Sequence, residues 1–360
     1  MSFLLSVLIF ILIITTLSGG VLVFTRLLTP KGQIKLNINN SQKIFSVNRG
    51  ETLLNLLYSN SIFIPSGCGG KGSCGLCKVK IISGEKTPHP HEQEFLSASD
   101  MKNGVRLSCQ MKLFADTSVE ISKDFLDAKL RIAVLEKTTM VTGDIREIIF
   151  SLPEPLYFNC GQYIQVLIPG DDQDKNFRAY SIASPSEETL RFALNVKLIQ
   201  GGMGSTYLHS LKEGEQIQFT GPYGEWMVDA SETTDLLLVG GGVGMAPMRS
   251  IVQTVLSTNP RKKVTFFFGG CTLNDLLFRD DFERLASEYK NFTYICAVSD
   301  ELKECTERKG FIHKAISDEY SPPSSDCQVF LCGPPVMIDA VNDVLIDKGI
   351  EEKDIFYDKF

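Results

Sequence analysis

The sequence predicts a multidomain chain: an N-terminal transmembrane helix, a small α+β domain, an antiparallel β-barrel and an α/β domain with a parallel sheet. Three patterns predict this order. Residues 2–25 are apolar and uncharged, the middle of the chain alternates short apolar strands with Gly and Pro, and the last third has apolar runs separated by helical segments. We expect the four parts to occupy residues 2–25, 33–124, 129–229 and 232–360.

The composition is that of a globular protein with sizeable cores. Its 360 residues are enough for two or three domains, and 43% of them are hydrophobic against 22% charged. The formal net charge is −7, whereas a protein that binds nucleic acid presents a basic face. We therefore expect no nucleic-acid partner.

The apolar run at residues 2–25 is long enough to cross the hydrocarbon core of a bilayer, about 30 Å, as a helix. A cleaved signal peptide would carry a basic region before this run, but only Met1 precedes residues 2–25. The first charged side chains, Arg26 and Lys31, follow the run. By the positive-inside rule, we expect a single-pass protein of the inner (cell) membrane with its C-terminal domains on the cytoplasmic side.

Four cysteines stand out by their spacing. Cys68, Cys74 and Cys77 form a C-x5-C-x2-C segment with four glycines, and Cys109 follows after 31 residues. Four thiolates can hold a [2Fe–2S] cluster, and glycines let the backbone lie close around it. A zinc site would more often show two C-x2-C pairs, and a disulfide framework suits a small secreted chain. The spacing therefore favours an iron–sulfur cluster.

The segments around these cysteines have the order of a ferredoxin-like β-grasp domain. The x5 gap is similar to that of vertebrate-type and bacterial [2Fe–2S] ferredoxins. Alternating apolar residues predict strands on both sides of the cysteine segment, and a leucine-rich stretch predicts a helix before it. The expected strands are 34–38, 45–47, 78–82 and 119–121, with a helix at 52–59 and a linker at 124–129.

The barrel region contains a motif suited to a flavin. Many short strands separated by Gly and Pro predict the barrel itself, for example 145–152, 163–168, 192–198 and 217–220. Within it, Arg178 supplies a guanidinium fork for a pyrophosphate, Tyr180 a ring to cover a flavin, and Ser181 a hydroxyl to bond the ring edge.

A second segment of the barrel region offers groups for a phosphate. Gly204, Ser205 and Thr206 follow a glycine-rich turn and present backbone amides and hydroxyls. Each motif is weak by itself, since a glycine-rich turn is often only a turn. Their order and separation together indicate a flavin site.

The last third shows the rhythm of βαβ units, with expected strands at 236–239, 264–268, 293–298 and 329–332. After the first strand, Gly240, Gly241, Gly242 and Gly244 lead into a helix, as at a dinucleotide pyrophosphate site. The segment does not match G-x-G-x-x-G strictly. Cys332 lies at the carboxyl end of the last strand, where such sheets bind ligands. The alternative is that Cys332 is only a small residue buried in the core.

Over nearly its whole length the chain resembles one family, the F subunits of sodium-translocating NADH:quinone reductases. In that family a membrane anchor and a [2Fe–2S] domain precede a ferredoxin–NADP⁺ reductase-like module. The matching segments are the cysteine motif, Arg178-x-Tyr180-Ser181, Gly204-Ser205-Thr206, Gly221-Pro-Tyr-Gly224, the glycine segment from Gly240 to Arg249, and Cys332-Gly333-Pro334-Pro335.

The resemblance implies the cofactors and the placement of several residues. It implies FAD as the flavin, NADH as the donor, Gly333 and Pro334 in the nicotinamide half, and Cys332 near the nicotinamide–flavin contact. The C-terminal Phe360 would place an aromatic ring over the flavin. Residues 269–275 carry no Arg or Lys for a 2′-phosphate, which favours NADH over NADPH.

The expected function is electron input to a membrane enzyme. The chain would take hydride from NADH onto FAD and pass single electrons to the [2Fe–2S] cluster, to other membrane subunits of a quinone reductase complex and, indirectly, to quinone. One alternative is an NADH-dependent reductase component of an oxygenase, which is usually soluble with x4 spacing. Another is a membrane-tethered electron carrier without hydride chemistry. The anchor has no charged residue, so we expect no ion path within it.

Overall fold

The computed structural model describes residues 2–28, 32–170, 176–228, 232–300, 308–323 and 326–359. The chain divides into two compact units, Met1–Ala128 and Lys129–Phe360. The first unit begins with helix α1 (Ser2–Leu28), which is longer than the sequence predicts. Of the helices in the described residues, α1 is the one that is long and apolar enough to cross a membrane. Its apolar span, Leu5–Val23, has a mean hydropathy of 2.5, and none of it is buried.

A five-stranded sheet forms the rest of the first unit. Its elements are β1 (Gln33–Ile38), β2 (Lys43–Asn48), α2 (Leu53–Ser59), β3 (Lys78–Ser83), α3 (Ala98–Lys102), β4 (Val105–Leu107), β5 (Thr117–Glu120) and α4 (Lys123–Asp127). The strand order is β2-β1-β5-β3-β4, and only the β1–β5 pair is parallel. The predicted strands and helix of this domain are therefore present.

Local sequence explains these elements. Ile34, Leu36 and Ile38 alternate with polar residues and are buried, as expected for a half-buried strand. Helix α2 begins after Thr52, whose hydroxyl accepts a hydrogen bond from the amide of Asn55 at 3.3 Å. The boundary between the two compact units, after Ala128, falls within the expected linker at 124–129, and the short helix α4 occupies the first part of that segment.

The second unit begins with a six-stranded antiparallel barrel. It comprises β6 (Arg131–Met140), β7 (Ile145–Ser151), β8 (Tyr163–Ile168), β9 (Asn176–Ser181), β10 (Arg191–Lys197), α5 (Met203–Ser210) and β11 (Gln216–Tyr223). The order is β10-β7-β6-β11-β8-β9, and a bridge between Ile182 and Leu194 joins the two ends. Three buried rings, Phe150, Phe192 and Phe219, fill the interior. The predicted barrel is confirmed, and α5 was not expected.

A six-stranded parallel sheet completes the second unit. Its elements are β12 (Asp235–Gly241), α6 (Met245–Thr258), β13 (Val264–Gly270), α7 (Arg279–Glu288), β14 (Phe292–Val298), β15 (Arg308–Lys309), α8 (Ile312–Glu319), β16 (Cys327–Gly333), α9 (Pro335–Asp347) and β17 (Ile355–Lys359). The order is β15-β14-β13-β12-β16-β17. Helices α6 and α7 pack on one face and α8 and α9 on the other.

The topology positions the nucleotide-binding edge. Strand β12 lies between β13 and β16, so the chain changes direction across the sheet at this point. In open α/β sheets, ligands bind beyond the carboxyl ends of strands at such a switch point. Cys332 lies at the carboxyl end of its strand, β16 (Cys327–Gly333), as expected, but the expectation that this strand is the last is wrong, because β17 follows and pairs with β16 in parallel.

Candidate functional site

The four predicted cluster cysteines lie together as two pairs. Cys68 and Cys74 have their sulfurs 3.5 Å apart, and those of Cys77 and Cys109 are 3.3 Å apart. All four are free thiols. With a metal–sulfur bond of about 2.3 Å, two ligands of one tetrahedral metal are about 3.8 Å apart. Each pair therefore fits two ligands of one iron.

The arrangement fits a two-iron cluster better than a single ion. Over the described residues, no group of three or more potential ligands surrounds one point closely enough to hold a metal ion. A zinc site would need four ligands around one centre, whereas a [2Fe–2S] cluster divides its four thiolates between two irons. The iron–sulfur interpretation therefore agrees with the geometry.

The pKa shifts within each pair favour one thiolate. The hydrogen bond that Cys74 donates lowers the pKa of the Cys68 thiol to about 4 and raises the pKa of Cys74 itself. In the second pair, the hydrogen bond from Cys77 lowers the pKa of Cys109 and raises that of Cys77. Thiolate is the form of cysteine that binds metal.

Glycine is required in the loop that carries the first three cysteines. Gly72 has a φ of +80°, and a Cβ there would lie 2.5 Å from Nε2 of Gln110. That Nε2 donates a hydrogen bond to the sulfur of Cys109 at 3.4 Å. Backbone amides of the loop, among them that of Ser73, also donate to the sulfurs. Hydrogen bonds to the ligand sulfurs are one means of tuning a cluster potential.

A buried ion pair supports the segment that carries Cys109. Glu92 and Arg106 have side chains 0% and 1% exposed, with Oε2 of the glutamate 2.7 Å from Nη2 of the arginine. The same carboxylate accepts hydrogen bonds from the amides of Leu107 and His89, both at 2.8 Å. The carboxylate of Glu92 therefore holds strand β4 at Leu107, two residues before Cys109. No sequence motif pointed to this pair.

The structure brings the two predicted flavin motifs into contact. Arg178, Tyr180 and Ser181 lie on β9, and Gly204 lies in the first turn of α5. A Cβ at Gly204 would be 2.5 Å from the hydroxyl of Tyr180 and 2.9 Å from Cγ of Arg178. Glycine is therefore needed for this close approach. Burial raises the pKa of Tyr180 to about 12, so its phenol stays protonated.

Ser205 and Thr206 differ in the surroundings of their side chains. Ser205 is buried, and its hydroxyl accepts from the amide of Ile199 at 3.1 Å and contacts the carbonyl of Gly202 at 3.2 Å. It closes the turn before α5. The side chain of Thr206 is exposed at the start of the helix.

The predicted pyrophosphate turn packs against the end of β16. Gly241 ends β12, a 3₁₀ turn covers Gly242–Gly244, and α6 follows directly. A Cβ at Gly244 would be 2.1 Å from the carbonyl oxygen of Cys332, so only glycine fits there. The turn is therefore held against the segment that contains Cys332 and Gly333. Helix α6 presents its N-terminus at this edge of the sheet, and a helix N-terminus suits a phosphate.

Cys332 is a neutral, buried thiol. Its side chain is 2% exposed, and burial, assisted by the charge of Asp358, raises its pKa well above the usual range. A protonated thiol is a compact packing group and a weak hydrogen-bond donor, not a nucleophile. Pro334, two residues later, is exposed at the same edge. Phe360 lies outside the described residues.

Residues 269–275, at the end of β13 and directly after it, carry no cationic side chain of their own. Asp275 accepts hydrogen bonds from the amide and the hydroxyl of Thr272, at 2.7 and 2.9 Å. Residues 269–275 contain no Lys or Arg. A 2′-phosphate placed here would meet a carboxylate, which disfavours NADPH.

This fold and these sites define a class: an iron–sulfur flavoprotein reductase that uses a pyridine nucleotide. Three family models match the chain. They are the 2Fe-2S iron-sulfur cluster binding domain at residues 36–113, the oxidoreductase FAD-binding domain at 132–228 and the oxidoreductase NAD-binding domain at 238–343. The cofactors of the chain are a [2Fe–2S] cluster, FAD and NAD.

Full-length relatives define the family. The chain is 33% identical to the F subunit of the Na(+)-translocating NADH-quinone reductase of Klebsiella pneumoniae, with all of both chains aligned. It is 31% identical to that of Neisseria meningitidis, again with all of both chains aligned. The chain belongs to this family, the F subunits of Na(+)-translocating NADH-quinone reductases.

Solved structures agree on the fold. The Amycolatopsis cytochrome P450 reductase is 28% identical, with a TM-score of 0.70 over 91% of this chain and 98% of that one. A ferredoxin reductase in carbazole 1,9a-dioxygenase is 23% identical, with a TM-score of 0.67 over 92% of this chain and 99% of that one. These likenesses show that the fold of this chain is shared over more than nine tenths of its length.

Proposed function

We propose that this chain is the NADH-oxidising, electron-input subunit of a membrane NADH:quinone reductase. The observation that carries the proposal is the presence, on one chain, of two thiol pairs fitted to a two-iron cluster and of adjoining flavin and dinucleotide sites. When bound, FAD accepts a hydride from NADH and releases its two electrons singly to the cluster, which takes one at a time. The residues of the chain bind and align these groups.

The barrel residues would hold FAD. Arg178 would offer its guanidinium to the pyrophosphate, Tyr180 would place its protonated phenol ring against the flavin, and Ser181 would bond the ring edge. The amides at the start of α5, with the exposed hydroxyl of Thr206, suit a flavin phosphate. Ser205 supports this contact by closing the turn, because its hydroxyl is already used.

The sheet residues would hold NADH. The turn formed by Gly240, Gly241, Gly242 and Gly244 brings backbone amides to the pyrophosphate at the N-terminus of α6. Gly333 and Pro334 border the nicotinamide side. Cys332 lies beside them as a neutral thiol, and we propose that it packs against the nicotinamide where this ring meets the flavin. Phe360 is proposed to cover the flavin from the C-terminus.

The cluster would be held by Cys68 and Cys74 on one iron and by Cys77 and Cys109 on the other. The amides of the cysteine loop and the side chain of Gln110 donate hydrogen bonds to the sulfurs. These donors stabilise negative charge on the cluster, which favours its reduced state.

The N-terminal helix is consistent with membrane anchoring. We propose a single pass through the inner (cell) membrane with the cofactor domains in the cytoplasm, supported by the first charges after the helix. The electron acceptors would be other membrane subunits of the complex, which pass electrons on to quinone. Sodium transport would belong to those subunits, since the apolar span Leu5–Val23 has no charged group to pair with an ion.

An anaerobic NADH assay tests this function. Adding NADH to the full chain should bleach the flavin absorbance, and Arg178→Ala should purify with little FAD and show no bleaching. Arg191→Ala is the matched control, because Arg191 lies on β10 with its side chain 58% exposed and pairs with Glu136 on the surface of the barrel. Full FAD content and normal bleaching in Arg178→Ala would refute the assigned flavin site, and no bleaching in the wild type would refute the function.

A further inference from the structure

Helix α6 presents small residues to the barrel. Ala246 packs against Ala193 of strand β10. Thr254, two turns later, accepts a hydrogen bond from the amide of Ser186 at 3.0 Å. Ser250 lies between them on the same helix face, because residues four apart are stacked along a helix, and it is fully buried. Small side chains let the backbones of the helix and the barrel lie close together.

Arg249 connects α6 to two other elements. Its Nη1 forms an ion pair with Oε1 of Glu147 on β7, and both side chains are 16% exposed. Its Cζ lies 4.0 Å from the ring centroid of Phe278, in the segment after β13. Phe278 has a φ of +53°, a left-handed conformation that is unfavourable for an aromatic residue. Arg249 therefore joins the helix, the barrel and the strained segment that borders the dinucleotide edge.

Asn195 faces the same contact region between α6 and strands β7 and β10, which we call the junction. It lies directly opposite Glu147 in the antiparallel β10–β7 pair, so the two side chains share one face of the barrel. The next pair on that face, Ala193 with Ile149, packs against α6. The side chain of Asn195 is therefore turned to the helix, and Asn195 is 6% exposed.

The junction keeps buried polar atoms without partners. Over the described part of the chain, Nδ2 and Oδ1 of Asn195, Nε of Arg249 and Oγ of Ser250 have no hydrogen-bond partner. Such atoms destabilise a folded protein, and apolar residues would pack this junction more favourably. Proteins keep such violations mainly at functional sites, where they fix a particular geometry. The polar residues of the junction are therefore better explained by a role in fixing the position of α6 than by a contribution to the stability of the fold.

We propose that Glu147, Asn195 and Arg249 form a positioning triad that fixes the nicotinamide-binding turn against the flavin-binding barrel. The inference rests on the proposed function. The glycine turn leads directly into α6, so a shift of α6 moves the turn. Strands β7 and β10 belong to the same sheet as β9, which carries the flavin motif. The triad thereby sets the distance over which the hydride passes, and none of its members needs to touch a cofactor.

The expected effect is on rate and not on binding. Hydride transfer needs the reacting atoms about 3–3.5 Å apart, and a misplacement of about 1 Å can lower the rate about a hundredfold. In Glu147→Gln, we expect the limiting rate of flavin reduction at saturating NADH to fall by about tenfold to a hundredfold. The NADH concentration for half-saturation, the FAD content and the cluster content should stay close to wild type.

The test is stopped-flow flavin reduction by NADH in the full chain, together with the long-wavelength absorption band of stacked nicotinamide and flavin. That band should weaken in Glu147→Gln, which a purely structural role would not produce. The matched control is Glu136→Gln, because Glu136 pairs with Arg191 on the exposed surface of the same barrel, with side chains 36% and 58% exposed. Arg249→Lys, which keeps the charge, should retain more rate than Arg249→Gln.

The outcomes separate this inference from the proposed function. If Glu147→Gln reduces its flavin at the rate of the control with an unchanged band, the triad is refuted, while wild-type reduction by NADH still supports the function. If the wild type is not reduced by NADH, the function itself fails. If Glu147→Gln does not retain FAD, Arg249→Gln decides, because it removes the other partner of the ion pair: a rate lowered about tenfold or more supports the triad, and an unchanged rate overturns it.

Discussion

Replacing Glu92 by Gln should destabilise the iron–sulfur domain strongly. The carboxylate accepts hydrogen bonds from Nε and Nη2 of Arg106 and from the amides of Leu107 and His89, all between 2.7 and 3.0 Å. Both side chains of the ion pair are 1% exposed or less. The substitution keeps the shape of the side chain but leaves the guanidinium of Arg106 buried without a counter-charge.

The magnitude follows from burial. Removing one partner of a buried ion pair costs about 3–5 kcal/mol, which is a large share of the roughly 5–15 kcal/mol that stabilises a domain. The large cost comes from the buried charge that is left without a partner, so removing the second charge as well should relieve it. The double variant Glu92→Gln with Arg106→Leu should therefore recover much of the loss.

The assay is urea unfolding of the full chain, followed by the visible absorbance of the cluster. The matched control is Glu120→Gln on the same sheet, whose partner Lys80 lies 2.9 Å away; the side chains of Lys80 and Glu120 are 46% and 55% exposed. Exposed pairs contribute at most about 1 kcal/mol, so the control should unfold nearly as the wild type does. Equal unfolding midpoints for Glu92→Gln and Glu120→Gln would refute the reasoning.

Three further predictions concern the same sites. Gly204→Ala should weaken FAD affinity about fivefold to a hundredfold, because the added methyl group overpacks the site at a cost of about 1–3 kcal/mol. Gly143→Ala is the control, since Gly143 has open space around it, and it should bind FAD normally in a fluorescence titration. Equal FAD affinities of the two variants would contradict the contact between Gly204 and Tyr180. Cys74→Ala should lose the cluster spectrum yet keep flavin reduction by NADH, and onward transfer to quinone at the wild-type rate would contradict the scheme. The pKa of Glu92 is lowered, because hydrogen bonds from Arg106 and backbone amides outweigh the burial that raises it. Its stabilising contribution is therefore present above the unfolded pKa of about 4.3 and is lost as pH falls through the folded value. The fall of the urea midpoint on acidification should be smaller in Glu92→Gln than in the wild type, because other carboxylates such as Asp100 still titrate.

The sequence was sufficient to predict the features that depend on residues close together in the chain. The cysteine segment could be assigned because three ligands fall within ten residues, and alternating apolar residues such as Ile34, Leu36 and Ile38 determine a half-buried strand. The parallel strands were recognisable as continuous apolar runs, since both faces of that sheet are covered.

The parts that the sequence did not reveal depend on tertiary contacts. Glu92 and Arg106 are ordinary charged residues in the sequence, and only the fold shows that they are buried together. The ion pair between Glu147 and Arg249 joins residues 102 positions apart. Strand β17 was missed because its pattern, Ile-Phe-Tyr-Asp-Lys, is buried only at its start and depends on pairing with β16.

The most direct test of the account follows both redox centres in one experiment. The full chain is mixed with one equivalent of NADH without oxygen, and samples frozen over time are measured for flavin absorbance and for the electron paramagnetic resonance of the reduced cluster. The account predicts that the flavin is reduced first, that the cluster signal then rises as the flavin partly reoxidises, and that neither change occurs in Arg178→Ala depleted of FAD. A cluster signal that appears in the FAD-depleted variant, or a reduced flavin beside a cluster that stays oxidised, would contradict it.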